Sequence, residues 1–269
     1  MKLFDDTDAA IVTGAGNGIG RAIALALVRE GVPTVFADID AKTVAAALEQ
    51  AKADAGEAIG AAVAPGRAIG WVGDLAEPSA RDRLLADARA AIGPVTMLVH
   101  SASPPRHERD HVFAVDGETW RRMRAVNLDA AFDLGRALAR GWADDATPGR
   151  LLLLTSLHTH TPRNLPHYST SKAGMGMLVK EFAKSLGRYG IRVNELVPGA
   201  VAAGGFKADP ALARHIPLGR LGRADDLAPL ALAVLSNRLG GYVTGTRIVI
   251  DGGLSLTNWF EPPELANVV

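Results

Sequence analysis

Apolar residues occur along the chain in short continuous runs, separated by longer segments in which apolar positions recur every three or four residues. Short continuous runs are typical of strands buried on both faces of a parallel sheet, and the recurring spacing is typical of amphipathic helices. Strands are predicted at residues 9–12, 34–37, 67–72, 95–99, 150–154, 192–197 and 247–250. Helices are predicted at residues 18–30, 41–55, 79–92, 117–143, 168–189 and 225–236.

This alternation of strand and helix has no linker or low-complexity break. It predicts one α/β domain over residues 1–269, a doubly wound parallel sheet of the Rossmann type with about seven strands and helices on both faces. An irregular stretch rich in Ala and Gly, residues 200–222, is the candidate lid over a substrate. A proline- and charge-rich loop at 104–116 follows the fourth strand.

Composition narrows the class of protein. Lys plus Arg and Asp plus Glu are 29 each, so no basic surplus points to nucleic acid or anionic lipid. The chain has no cysteine for disulfides or thiolate metal sites, and no apolar run reaches the ~20 residues needed to cross a bilayer. The acidic N-terminal residues lack an apolar signal segment. A cytoplasmic protein that binds neither nucleic acid nor membrane is expected.

A glycine-rich turn joins the first strand to the first helix, with the sequence Thr-Gly-Ala-Gly-Asn-Gly-Ile-Gly at residues 13–20. Glycines let a backbone approach a ligand closely, and the N–H groups and dipole of a helix N-terminus hold a phosphate. A tight connection with no ligand is the alternative. The candidate phosphate-binding residues are Gly14, Gly16, Asn17, Gly18, Ile19 and Gly20.

Two further strands end in carboxylates. Asp38 lies 18 positions beyond Gly20, where an acidic side chain binds the ribose hydroxyls of a dinucleotide and repels a 2′-phosphate, which favours NAD over NADP. The alternative for Asp38 is capping of the next helix, a role open to Asp40 as well. Asp74 is predicted either to accept from an adenine amino group or to cap the helix near Ser79.

Tyr168 and Lys172 are four positions apart and share one face of the predicted helix. An ammonium group beside a phenol favours the phenolate, so such a tyrosine can exchange a proton with a secondary alcohol. Ser156, at the end of the fifth strand, brings a hydroxyl that can hold the substrate oxygen. The alternative is a Tyr and a Lys exposed on a surface helix.

Together these motifs resemble the short-chain dehydrogenase/reductase family over residues 9–253. Residues 13–20 match its T-G-x-x-x-G-x-G turn, and Tyr168 and Lys172 match its Y-x-x-x-K pair. Ser156 stands at its catalytic serine, and Asn127 at the helix position where the family keeps an Asn that anchors a proton-relay water. The proline-glycine turn at 198–199 and the Asp-Gly-Gly at 251–253 also match.

The resemblance implies roles for these residues. Tyr168 is then the acid/base, Lys172 supports it and grips the nicotinamide ribose, Ser156 polarises the substrate oxygen, and Asn127 supports the proton relay. The family is commonly tetrameric, so a homo-oligomer, a tetramer or dimer, is expected. The other residues expected at the cofactor are Ile39, Leu75, Ser101, Ala102, Pro198, Gly199 and Val201.

Three departures from the family pattern stand out. The family's N-N-A-G after the fourth strand is here His-Ser-Ala-Ser at 100–103, so the usual Asn contacts to cofactor and sheet are expected to be missing. Ala203 stands where a Thr often holds the nicotinamide amide. Ser156 is 12 residues before Tyr168 where 13 is commoner; Thr155 would satisfy the longer spacing, but Ser156 aligns better with the strand end.

The loop at 157–167 holds three of the seven histidines, a polar lining that favours a small hydroxylated substrate such as a sugar or polyol. No third donor at fixed spacing accompanies His158 and His160, so no metal is predicted. Trp259 and Phe260 are predicted to pack on a partner subunit or to close that subunit's site. Two alternatives remain: a 3-oxoacyl reductase, disfavoured by Asp38 because such reductions usually draw on NADPH, and a dinucleotide sensor without catalysis.

Overall fold

A computed structural model of the chain describes residues 2–57, 67–107, 109–203 and 210–256. Within these ranges seven strands form one sheet, and all neighbouring pairs are parallel. The strands are β1 Ala10–Thr13, β2 Thr34–Asp38, β3 Ala68–Val72, β4 Met97–His100, β5 Arg150–Leu154, β6 Arg192–Pro198 and β7 Arg247–Ile250. Their spatial order is β3-β2-β1-β4-β5-β6-β7. The predicted doubly wound parallel sheet is confirmed.

Helices connect the strands. Those in the described ranges are α1 Gly18–Arg29, α2 Ala41–Glu57, α3 Pro78–Ile92, α4 Gly117–Arg124, α5 Ala130–Asp144, α6 Pro166–Leu186, α7 Ala228–Leu235 and α8 Asn237–Gly240. None of them is long and apolar enough to span a bilayer.

The sheet is buried on both faces because successive residues of a strand point to opposite sides. Val12 packs in one apolar cluster with Leu27 of α1, whereas the preceding Ile11 packs in a second cluster with Leu84 of α3 and Leu134 of α5. All five side chains are fully buried. The two clusters account for strand sequences that are apolar throughout rather than alternating.

The long helix predicted at 117–143 is interrupted, since a π-helical turn, Ala125–Asp129, separates α4 from α5. The helix predicted at 225–236 begins instead as a 3₁₀ turn, Ala224–Asp226, before α7. In the stretch predicted to be irregular, Val201 pairs with Gly222 and residues Pro210–His215 form a 3₁₀ helix. Residues 204–209 of the predicted lid, and Trp259 and Phe260, lie outside the described residues.

The strand order reverses between β1 and β4, where the chain crosses from one half of the sheet to the other. In open parallel sheets ligands bind beyond the carboxyl ends of the strands at such a point. Because all strands are parallel, the residues that follow β1, β2, β4, β5 and β6 meet at this one edge.

Candidate functional site

The turn after β1 is packed too closely for side chains at two of its glycines. Gly14 has φ +66°, and a Cβ there would lie 2.8 Å from the Cα of Ala102. A Cβ on Gly20 would lie 2.2 Å from the carbonyl oxygen of Gly14. Close packing therefore explains these two glycines by itself, as the alternative interpretation of the turn supposed.

The N-terminus of α1 has the properties of a phosphate site. Asn17 caps the helix, with its side-chain oxygen accepting from the N–H of Gly18 at 2.7 Å. The next N–H groups, those of Ile19 and Gly20, have no acceptor within an α-helix because they lie in its first turn. Gly18 and Gly20 are buried while Asn17 is exposed, so this end of the helix opens at the carboxyl edge of the sheet.

Asp38, the last residue of β2, is tied to the glycine turn. Its Oδ2 accepts from the N–H of Gly16 at 2.9 Å, and its Oδ1 accepts from the N–H of Ile39 at 2.7 Å. The helix-capping alternative is wrong, because Asp40 caps α2 by accepting from the N–H of Lys42 at 2.8 Å. The Asp38 carboxylate is therefore held beside the N-terminus of α1, where the ribose of a dinucleotide would fit.

Asp74 does not cap α3, which begins at Pro78 after Glu77. Its Oδ1 accepts from the N–H of Ala76 at 2.9 Å, and its Oδ2 lies 3.0 Å from Nη1 of Arg122 on α4. The following Leu75 is buried. The capping interpretation of Asp74 is corrected, and contact with an adenine stays a prediction.

His100 supplies the contact to the sheet that was expected to be missing. Its fully buried ring lies between the Thr13 hydroxyl, 3.0 Å from Nδ1, and the carbonyl of Val126, 3.0 Å from Nε2. A carbonyl only accepts, so Nε2 carries the proton and Nδ1 accepts from Thr13. The same hydroxyl accepts from the N–H groups of Ser101 at 3.1 Å and Ala102 at 3.2 Å. His100 thus joins β1 and β4 to the π turn.

This burial predicts a pH-dependent stability. Burial, with a smaller effect of the Lys172 charge, lowers the pKa of His100 to about 3, against about 6.5 in an unfolded chain. Between these values the unfolded chain binds a proton that the folded chain does not, so the free energy of unfolding falls as pH falls through this window. One such proton corresponds to about 1.4 kcal/mol per pH unit. Urea unfolding between pH 7 and 4.5 is expected to show a smaller decline for His100→Asn than for the wild type.

The burial of His158 and His167 also lowers their pKa values, but both residues are present in the wild type and the variant and cancel in the comparison. His215→Asn replaces an exposed histidine and is the matched control, expected to retain the wild-type pH dependence. Parallel curves for His100→Asn and the wild type would contradict the assignment.

Tyr168 and Lys172 lie in the first two turns of α6, which begins at Pro166, a residue favoured at the first helical position. Both side chains are buried, and the Lys172 ammonium is 5.7 Å from the Tyr168 ring centroid. Lys172 donates to the carbonyl of Leu154 at 2.6 Å, which fixes it under the end of β5. Burial, and secondarily the charge of Arg106, lowers the pKa of Lys172 to about 7. The alternative of an exposed Tyr–Lys pair is wrong.

Ser156 and Thr155 face different surroundings. Thr155 donates its hydroxyl to Glu195 on β6 at 2.5 Å and is buried within the sheet. Ser156 begins the loop beside α6, and its oxygen accepts from the N–H of His158 at 3.3 Å. The His158 ring makes an edge contact with Tyr168, with centroids 5.1 Å apart. Thr155 is thus bound within the sheet, and Ser156 stays the predicted catalytic serine.

Asn127 lies in the π turn and is fully buried. Its Nδ2 donates to Oγ of Ser171 at 2.9 Å, one residue before Lys172. Its Oδ1 is buried with no hydrogen-bond partner within the described residues. π turns inside helices often occur at functional sites because they redirect one side chain, and here the turn directs Asn127 toward α6.

The residues after β6 form the last part of the site. The N–H of Gly199, next to Pro198, donates to the carbonyl of Ile250 at 3.0 Å, and Val201 is buried. The N–H of Ala203 donates to the carbonyl of Val201 at 2.9 Å. This backbone turn is placed at the same edge as β1, β4 and β5.

Known proteins match this chain over nearly its full length. A family model described as enoyl-(acyl carrier protein) reductase matches residues 14–255. L-rhamnose 1-dehydrogenase (NAD(P)(+)) of Azotobacter vinelandii is 33% identical over 264 residues, covering 94% of this chain and 98% of that protein. (3R)-3-hydroxyacyl-CoA dehydrogenase of Mus musculus is 31% identical over 252 residues, covering 91% and 95%.

Comparison of the fold with solved structures leads to the same family of dehydrogenases. A crystal structure of a short-chain type dehydrogenase/reductase from Mycobacterium marinum aligns with a TM-score of 0.85 and 27% identity, over 95% of this chain and 99% of that one. The chain belongs to the short-chain dehydrogenase/reductase family. As a member it is an oxidoreductase acting on CH–OH groups.

One residue of this family member's site was missed by the sequence analysis. Arg106, in the loop after β4, places its guanidinium carbon 4.4 Å from the centroid of the Tyr168 ring. The sequence signal was only a proline- and charge-rich loop, which does not say which charge turns inward. Within the described ranges no group of three His, Asp or Glu side chains is placed to hold a metal ion.

Proposed function

We propose that this chain is an NAD-dependent dehydrogenase that interconverts a secondary alcohol and its ketone, with Tyr168 as the acid/base. The observation that carries the proposal is the buried pair of Tyr168 and Lys172, with Lys172 bonded to the last residue of β5, two residues before Ser156. Burying an ammonium group this completely costs free energy. Stabilisation of the neighbouring phenolate would account for that cost.

Each residue of the proposed catalytic set has one role in the reaction. The Tyr168 phenolate takes the proton of the alcohol and becomes a phenol, and the positive charge of Lys172 favours the phenolate form that accepts this proton. The Ser156 hydroxyl holds the substrate oxygen. Asn127, joined to α6 through Ser171, supports the path by which the proton leaves.

The residues fit a nicotinamide dinucleotide at the glycine turn. The N-terminus of α1 would hold the pyrophosphate, and the Asp38 carboxylate would accept from the ribose 2′-hydroxyl and repel a 2′-phosphate. When bound, this cofactor supplies the hydride acceptor of the reaction. The hydrogen bond from the N–H of Gly16 to Asp38 supports this placement, because it holds the carboxylate beside the glycine turn.

The two similar proteins are named for different substrates, one for a sugar and the other for a hydroxyacyl thioester. Their names therefore do not select one substrate class for this chain. The polar loop after β5, with His158 at the Tyr168 ring, supports a small hydroxylated substrate such as a sugar or polyol. The similarity to a 3-hydroxyacyl-CoA dehydrogenase favours the acyl alternative, which would run through the same Tyr168 and Ser156.

The test is formation of reduced nicotinamide with NAD and with NADP across sugars, polyols, simple secondary alcohols and (3R)-3-hydroxyacyl thioesters. Turnover with NAD on a sugar or polyol is the expected result, and turnover on the thioesters would move the substrate to the acyl class. Binding of NAD with no turnover on any alcohol would contradict the proposal and favour a sensor. An enoyl thioester, reduced with NADH, tests the activity named by the family model.

Four further predictions accompany this proposal: a homo-oligomer, a cytoplasmic location, a single domain over residues 1–269, and a lid at 200–222. Light scattering gives the oligomeric state, and limited proteolysis with and without NAD reports whether the lid region becomes protected when the cofactor binds.

A further inference from the structure

A buried arginine is bonded to three segments next to the candidate site. Arg81 of α3 is 4% exposed, and its Nε donates to the carbonyl of Leu75 at 2.8 Å. Its Nη2 donates to the carbonyls of Ala76 and Ala125, both at 3.0 Å. Its Nη1 donates to the carboxylate of Asp133 at 2.6 Å. These four bonds join the loop after β3, the π turn and α5 at one guanidinium.

Two of the bonds hold the π turn from both ends. The carbonyl of Ala125 accepts from the N–H of Ala130, five residues further along, and this spacing makes the turn wider than an α-helix. Arg81 donates to the same carbonyl, and its ion pair with Asp133 holds the first turn of α5, directly after the π turn. Because a guanidinium is planar and its donors point in fixed directions, it also sets the distance between these two elements.

The π turn held in this way carries Asn127, whose buried side chain is bonded to α6. The carbonyl just before it, that of Val126, accepts from Nε2 of His100 at 3.0 Å. Two successive carbonyls before Asn127, those of Ala125 and Val126, are therefore each bonded to a buried side chain from another element. The backbone that carries Asn127 cannot shift without breaking one of these bonds.

We propose that Arg81 is a positioning residue for the dehydrogenase reaction, which holds the π turn where it presents Asn127 to the proton path. The proposal rests on the proposed role of Asn127. None of the four bonds of Arg81 goes to Tyr168, Lys172 or Ser156, so it acts through the backbone of the turn. A displacement of about 1 Å far from the chemistry can lower a rate about 100-fold, so loss of this hold is measurable in kcat.

The experiment begins with Arg81→Lys, which keeps the charge but cannot reach four acceptors from one planar group. The substrate is the sugar, polyol or 3-hydroxyacyl thioester on which the wild type has its highest kcat/KM. We expect kcat to fall about tenfold. KM for the alcohol and the Kd for NAD should stay within about threefold of the wild type, because the proton path is disturbed and the binding groups are not.

Arg192→Lys is the matched control. Arg192 is another buried arginine that donates to backbone carbonyls, among them that of Val234 at 2.7 Å, and it lies at the start of β6, the edge of the sheet opposite the site. The same replacement there should lower Tm by a similar amount and leave kcat within about twofold. A loss of stability alone would therefore appear in both variants, and a loss of kcat in Arg81→Lys only.

A double-mutant cycle with Asn127→Ala tests whether Arg81 acts through Asn127. In the Asn127→Ala background, Arg81→Lys should lower kcat by less than about twofold, because the group that it positions is already absent. A full tenfold loss in that background would overturn the route through Asn127. A wild-type kcat in Arg81→Lys alone would overturn the positioning role.

A second variant serves if Arg81→Lys does not fold. Asp133→Ala removes a partner whose side chain is 39% exposed and leaves the guanidinium on its three carbonyls. It should lower kcat about threefold, and this effect too should vanish in the Asn127→Ala background. Asp144→Ala, which breaks an exposed pair with Arg140 on the same helix, is its control and should leave kcat unchanged. Equal kcat values in Asp133→Ala and Asp144→Ala would contradict the proposal.

Hydrogen exchange separates this proposal from the proposed function, because it needs no turnover. Amides of residues 123–131, followed by mass spectrometry, should exchange faster in Arg81→Lys and Asp133→Ala than in the wild type or Arg192→Lys. Unchanged exchange there would overturn the hold on the π turn. Faster exchange in a chain that oxidises none of the alcohols would contradict the proposed function and leave that hold in place.

Discussion

Tyr168→Phe is expected to lower kcat by about 10²- to 10⁴-fold, the usual contribution of a positioned acid/base. Phe retains the ring that contacts His158, Arg106 and Lys172, so the variant should fold and should bind NAD with nearly unchanged affinity. Only the hydroxyl that exchanges the proton is lost. Steady-state kinetics together with a calorimetric titration of NAD measure the two quantities separately.

Tyr189→Phe is the matched control. Tyr189 follows the end of α6, is largely exposed, and accepts from Arg188 at 2.6 Å. The same loss of one hydroxyl there should leave kcat within about twofold. If Tyr168→Phe retained more than about a tenth of the wild-type kcat, the proton would have another carrier and Tyr168 would not be the acid/base.

Asp38→Asn is expected to shift cofactor choice toward NADP by about 10- to 100-fold in the ratio of the two kcat/KM values. The carboxylate would lose its charged hydrogen bond to the ribose of NAD, a contribution of about 1.5–3 kcal/mol, and would no longer repel a 2′-phosphate. Asn is the informative replacement because its amide oxygen can still accept from the N–H of Gly16, the contact that holds the glycine turn, and only the acceptor for the N–H groups of Ile39 and Asp40 is lost. Ala would disturb that turn as well.

Asp40→Asn controls for a charge change two residues away. Asp40 caps α2 through the N–H of Lys42, and Asn is an equally good cap, so stability and cofactor choice should both stay near those of the wild type. An unchanged ratio in Asp38→Asn, with NAD still bound, would remove Asp38 from cofactor selection.

The strands and most of the helices could be predicted from the spacing of apolar residues in the sequence. Apolar runs in strands such as Ala10–Thr13 and Arg150–Leu154 are readable because a parallel strand is buried on both faces, and the helices between them keep their apolar spacing. The boundaries differ mostly by one to three residues. The π turn at Ala125–Asp129 was not predicted, because widening a helix by one residue depends on what packs against it rather than on its own sequence.

In the candidate site, too, some features could be predicted from the sequence and others needed the tertiary structure. Spacing alone places Tyr168 and Lys172 one turn apart and puts Ser156 and Asp38 at strand ends, since these are properties of one helix or strand. Three features needed the tertiary structure: Asp40 rather than Asp38 capping α2, His100 bridging Thr13 and Val126, and Arg106 beside Tyr168. Each depends on which atoms of distant segments come within hydrogen-bond or van der Waals reach, and only packing of the whole chain decides that.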